Sequence, residues 1–99
     1  MATIGSFKKV GNDYQGEIVT LSLQAKGVRI VAEQNRSSNE NAPSHRVFVG
    51  RAEIGAAWSK RSEEGRDYLS LKLDDPSFNA PIYANLVAVD DGYALVWSR

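Results

Sequence analysis

Five side chains flank one charged turn in the stretch IGAAWSKRSEEGRDYLSLKLDDP (residues 54–76): Lys60 and Arg61 before it, Arg66, Tyr68 and Lys72 after it. A tyrosine beside cations on a strand surface suits single-stranded nucleic acid, the ring stacking on a base while the cations meet phosphates. The same residue types anchor protein interfaces. A third reading is structural: Tyr68 covers Gly55 of the neighbouring strand, as aromatics do for sheet glycines. Glu63 and Glu64 share the turn and dilute its positive field. A second basic and aromatic cluster, Lys8, Lys9 and Tyr14, flanks the turn signal Gly11-Asn12-Asp13. Together these residues, Lys8, Lys9, Tyr14, Lys60, Arg61, Arg66, Tyr68 and Lys72, form the candidate nucleic-acid or partner-binding set.

Catalytic constellations are missing from the chain. His45 is the single histidine, and there is no cysteine, so His-rich and thiolate metal sites and cysteine nucleophiles have no residues to build them. Asp74-Asp75 and Asp90-Asp91 offer paired carboxylates, but adjacent residues on an extended chain point apart. Asp75-Pro76 and Asp91-Gly92 also read as turn dipeptides. No phosphate-cradling glycine loop occurs, because the glycines are scattered. The expectation is a binding protein, not an enzyme, with no cofactor and no metal.

Charge limits the binding reading. Twelve basic residues balance twelve acidic ones, whereas proteins that hold nucleic acid by counterion release are usually basic. A nucleic-acid site must therefore be a local patch. No apolar run reaches the roughly eighteen residues that span a bilayer, and the N-terminus lacks a secretory pattern. The chain reads as cytoplasmic, with no membrane partner.

The elements that position these residues are short strands. Period-2 alternation recurs over residues 3–10, 14–23, 28–33, 46–50, 52–59, 68–73, 82–89 and 93–98, each run bounded by turn residues. Helical periodicity is absent. The expected fold is all-β, one domain over 1–99: a small antiparallel barrel or sandwich of about eight strands, with closure favoured because it hides strand edges. Residues 33–44 (EQNRSSNENAPS) read as one mobile polar loop. An edge left unpaired would support a homodimer by strand pairing.

Alternation places Leu69, Leu71 and Leu73 on one face and Tyr68, Ser70 and Lys72 on the other. The economical register adds Ile54, Ala56 and Trp58 to the leucines, making Trp58 a core anchor and setting Gly55 and Ala57 beside Tyr68. Tyr93, Leu95 and Trp97 form a second apolar face, near Tyr83 on the preceding run. The segments IGSFKKVGNDYQGEI (4–18) and IGAAWSKRSEEGRDYLSL (54–71) echo one another: Ile-Gly, an aromatic, a basic pair, a turn, Asp-Tyr.

The motifs MATIGSF, GNDYQGEI, NAPSHRVFVG, EIGAAW, EGRDYLSLKLDDPSF, PIYANL and LVWSR resemble the DUF736 family, over essentially the whole chain. That family comprises small proteins of Alphaproteobacteria and relatives, often encoded on plasmids and integrative conjugative elements. The resemblance implies a mobile-element setting and supplies no catalytic or binding residues. Two roles follow from it: an accessory protein that contacts DNA or RNA, single-stranded in particular, or a protein-interaction module such as a regulator or an antagonist of host defence. The net charge of zero favours the second, the basic hairpin tips the first.

Overall fold

The computed structural model describes residues 2–21, 23–33 and 42–97. Its strands are β1 (Ala2–Val10), β2 (Asp13–Val19), β3 (Gln24–Ala32), β4 (His45–Val49), β5 (Ala52–Arg61), β6 (Asp67–Leu73), β7 (Ile82–Val89) and β8 (Gly92–Trp97). Each pairs antiparallel with its chain neighbours, and β1 pairs with β8 to close a barrel. That closing pair occupies the edges through which a homodimer by strand addition would form. Most of the loop expected at 33–44 (residues 34–41) lies outside the described residues. Its ends are tied together, the Glu33 N–H donating to the Ser44 carbonyl at 2.9 Å.

Inward positions follow from burial and register. Phe7, Ile18, Val28, Ile30, Val47, Leu71, Leu73, Leu86 and Leu95 are almost fully buried and fill the barrel's middle. An eight-stranded barrel is narrow enough for side chains alone to fill it. Phe7 fits because its cross-strand partner is Gly16. A Cβ on Gly16 would strike the Ser6 carbonyl and the Phe7 backbone. Gly16→Ala is therefore expected to cost about 1–3 kcal/mol, the range for overpacking a filled core. The denaturant midpoint, with unchanged slope, measures it.

Two bulges set the faces, and the first overturns the expected core role of Trp58. Between β4 and β5 the register passes from Val47↔Gly55 to Phe48↔Glu53, leaving Ile54 as an extra residue. Ile54 turns inward and is buried, and the alternation then restarts one residue out of step. Ala57, not Trp58, pairs with Leu71 inside, and Trp58 pairs with Ser70 outside. Ala56 likewise faces outward opposite Lys72, and Tyr68 lies opposite Lys60, not beside Gly55. The same device recurs in β1, where Ile4 is the extra residue against β8 and is buried.

The echo between the two hairpins is thus genuine at Ile-Gly and accidental at Asp-Tyr. Counting from the bulges, Gly5 pairs with Ile18 and Gly55 with Leu73. Tyr14 then falls on the inner face and Tyr68 on the outer. Lys26-Gly27, the turn residues expected to join the runs 14–23 and 28–33, form a bulge instead: Gly27 takes φ 69 within β3, which carries one extra residue against β2. The chain reversal lies at Thr20–Leu23, where the Thr20 N–H donates to the Leu23 carbonyl at 2.6 Å. Among the described residues no helix is long and apolar enough to cross a membrane.

Candidate nucleic-acid interface and barrel mouth

Six of the eight candidate residues fall on two adjoining surfaces, an outer face and the barrel mouth. Lys60 and Tyr68 are common to both, and Lys8 and Arg66 stand apart from them. On the outer face, β5, β6 and β7 carry Trp58 and Lys60, then Tyr68, Ser70 and Lys72, then Tyr83 and Asn85. Register aligns them into three rows: Lys60 opposite Tyr68, Trp58 opposite Ser70 and Asn85, and Lys72 opposite Tyr83. Directly opposed side chains on one sheet face lie about 5 Å apart, and rows two residues apart are separated by roughly 7 Å. Each tyrosine thus has a lysine across from it, with the indole of Trp58 in the row between. Tyr83 is 61% exposed, the two lysines are exposed, and Trp58 and Tyr68 are half-buried. Half-burial holds a ring in place while leaving part of it open to a ligand.

The acidic groups around this face are partly neutralised. Arg46 on β4 bonds Glu33 at 3.1 Å and approaches Glu53 at 4.0 Å. Arg61 pairs with Asp67 at 3.0 Å, which reduces what the arginine can offer to a phosphate. Arg66 stays in the exposed turn with Glu63 and Glu64, its N–H accepted by the Ser62 hydroxyl. Lys8 is exposed on the outer face of β1, separated from β7, the platform's nearest strand, by β8, and does not join the platform.

The remaining members meet at the open end of the barrel, where the β1–β2, β5–β6 and β7–β8 turns gather. A cleft of about 560 Å³ opens there, lined by Lys9, Tyr14, His45, Ser59, Arg61 and Tyr93 and by Lys60 and Tyr68 from the edge of the outer face, among others. Tyr14 packs edge-to-face on Tyr93 at 5.0 Å and lies 5.9 Å from the His45 ring. Behind them the Ser59 hydroxyl donates to the Ser44 hydroxyl at 2.9 Å, and Ser44 Oγ is 2.8 Å from His45 Nδ1. Burial, then the neighbouring Tyr93 hydroxyl, push the Tyr14 phenol above its ordinary value of 10.0.

The sign of that shift fixes a pH effect. Above about pH 10 the unfolded chain releases the Tyr14 proton before the folded chain does, so stability held below that pH declines as pH rises through the folded value. Chemical denaturation from neutral to strongly alkaline pH should show the decline, and Tyr14→Phe should lessen it.

Among the described residues no group of three or more His, Asp or Glu is arranged to hold a metal ion. Asp75 instead accepts hydrogen bonds from the N–H and hydroxyl of Ser77, at 2.9 and 2.5 Å. These bonds hold its carboxyl below the usual carboxylate value.

Sequence reasoning missed Trp58 and Tyr83 as outward groups, and His45, Ser59 and Tyr93 as parts of the mouth. The signal for the first was the repeated Ile-Gly pair, which marks a bulge in both hairpins. No curated protein and no solved structure matches the chain. The family model described as Protein of unknown function (DUF736) matches residues 3–99, nearly the whole sequence, and the chain belongs to that family.

Proposed function

We propose that this domain is a non-enzymatic, cytoplasmic accessory protein of a bacterial mobile element that binds single-stranded nucleic acid on the outer face of β5, β6 and β7. The observation that carries the reading is the register: Lys60 opposite Tyr68 and Lys72 opposite Tyr83, with Trp58 in the row between. Aromatic faces stack on bases of any sequence, and the flanking ammonium groups meet phosphates. A sheet surface with two free lysine ends predicts weak, sequence-tolerant binding.

Fluorescence anisotropy of a labelled thymidine oligonucleotide tests this. Two to three phosphate contacts give a slope of log K against log salt of about −2. Lys60→Ser with Lys72→Ser should flatten that slope and weaken binding while leaving the fold intact. No signal at low salt and high protein concentration rejects the reading.

One observation favours a second reading. The chain carries no net charge, and the same outer face continues through Val87 and Val96 on β7 and β8. A protein partner, such as a regulator or a target in host defence, would bury that aromatic and aliphatic surface. Its binding would vary little with salt, which separates the two readings.

A further inference from the structure

The barrel mouth adjoins the outer face, sharing Lys60 and Tyr68 with it, and adds an inward-facing aromatic wall that the outer face lacks. We infer that it is a binding site for a nucleoside monophosphate group, the ring held against Tyr14 and Tyr93 and the phosphate met by Lys9. Four features point to this ligand class. The cleft, of about 560 Å³, falls within the range of small-molecule sites. An eight-stranded barrel has just enough interior to hold one small ligand where side chains leave room. Here Phe7, Leu86 and Leu95 fill the middle, so the room lies above them.

The aromatic wall is the second feature. Tyr14, Tyr93 and His45 converge from β2, β8 and β4, while Leu69 and Leu86 line the cleft from β6 and β7. A flat, polarisable ring fits between π-surfaces and aliphatic ones. Third, Ser59 and His45 line the cleft, both held from behind by the buried Ser44 hydroxyl, and supply the few polar groups that orient a ligand.

The fourth feature is Lys9. It pairs with Tyr14 across β1 and β2, so it leaves the strand on the inward face, in line with Phe7, and lines the cleft. Across the opening, Arg61 is already bonded to Asp67 at 3.0 Å, which leaves Lys9 and the exposed Lys60, both lining the cleft, as cations for an incoming phosphate. The ligand's source is either a free mononucleotide or the phosphorylated end of a single strand. Both present the same ring and phosphate.

Calorimetric titration with adenosine 5′-monophosphate, adenosine and inorganic phosphate tests the site, and Lys9 and Tyr14, which belong to the mouth alone, separate it from the outer face. The monophosphate should bind saturably, and more tightly than either fragment. Lys9→Ala, an exposed position, should weaken the monophosphate about tenfold, as loss of a charge-assisted contact does, and adenosine hardly at all. Tyr14→Ala should weaken both. Because Tyr14 is half-buried, its variant is first shown folded by circular dichroism; if it unfolds, Tyr14→Leu takes its place.

A 5′-phosphorylated oligonucleotide that displaces the monophosphate identifies the strand end as the source; failure to displace identifies the free nucleotide. Tyr83→Ala should leave monophosphate binding unchanged while reducing oligonucleotide binding on the outer face. No saturable binding of the monophosphate, or binding indifferent to both Lys9→Ala and the Tyr14 variant, overturns the inference.

Discussion

A chain that stops before Gly92 should not fold. It loses β8, which pairs with β7 on one side and with β1 on the other, so its loss opens the barrel and exposes two edges instead of trimming one. The inner face loses Leu95, fully buried, together with Tyr93 and Trp97, which pack against the core. Burying each such side chain contributes about 1.5–3 kcal/mol, and a domain of this size has only about 5–15 kcal/mol in total. Circular dichroism should show lost cooperativity, and light scattering should show association through the freed edges of β1 and β7. A single substitution in the same layer, Leu95→Ala, should cost about 2–5 kcal/mol and leave a foldable chain. A truncated chain that still unfolds cooperatively at the wild-type midpoint would mean that the closing pair contributes little.

Replacing Trp58, Tyr68 and Tyr83 together with alanine is expected to abolish oligonucleotide binding under the outer-face proposal. Each stacked base is worth about 1–3 kcal/mol by alanine substitution, so three such losses take a micromolar interaction beyond detection. Tyr83, the most exposed of the three, should act on binding alone. Trp58 and Tyr68 are half-buried and should also lower stability modestly, through packing lost over Ser70 and the β5–β6 ladder. The single Tyr83→Ala variant therefore separates binding from folding. Its thermal midpoint should stay near wild type while its dissociation constant rises about tenfold.

Much of the fold was legible from residue pattern. Alternation and turn residues located the strands because a half-buried sheet enforces period 2, and closure followed from the need to hide edges. What alternation cannot carry through is an inserted residue. Ile54 and Ile4 each shift the phase by one, so a register that looked economical for Trp58 put it on the wrong side. Gly27 misled in the opposite way: its positive φ serves a bulge within β3, and the true reversal at Thr20–Leu23 carries no glycine.

The candidate site was legible only in part. Tyr68, Lys60 and Lys72 were found because they alternate with the leucines on β6 or stand close to the turn. Tyr14 and Lys9 were found for their types, but their inward direction follows from pairing with each other two residues along the ladder from the inward pair Phe7 and Gly16. His45 and Tyr93 reach the same mouth from strands far apart in the chain. Only the closed ring brings them to Tyr14.

The most direct measurement of the outer-face proposal is a ¹⁵N-resolved NMR titration with an unlabelled thymidine oligonucleotide at low salt. The two tryptophans provide an internal contrast, Trp58 on the outer face and Trp97 on the inner, register partner of Ala84 and Ala2. The account predicts progressive shifts of the Trp58 indole and of the amides around Lys60, Tyr68, Lys72 and Tyr83, with the Trp97 indole still. Shifts that leave Trp58 and those amides unmoved, or no shifts at all, would contradict it.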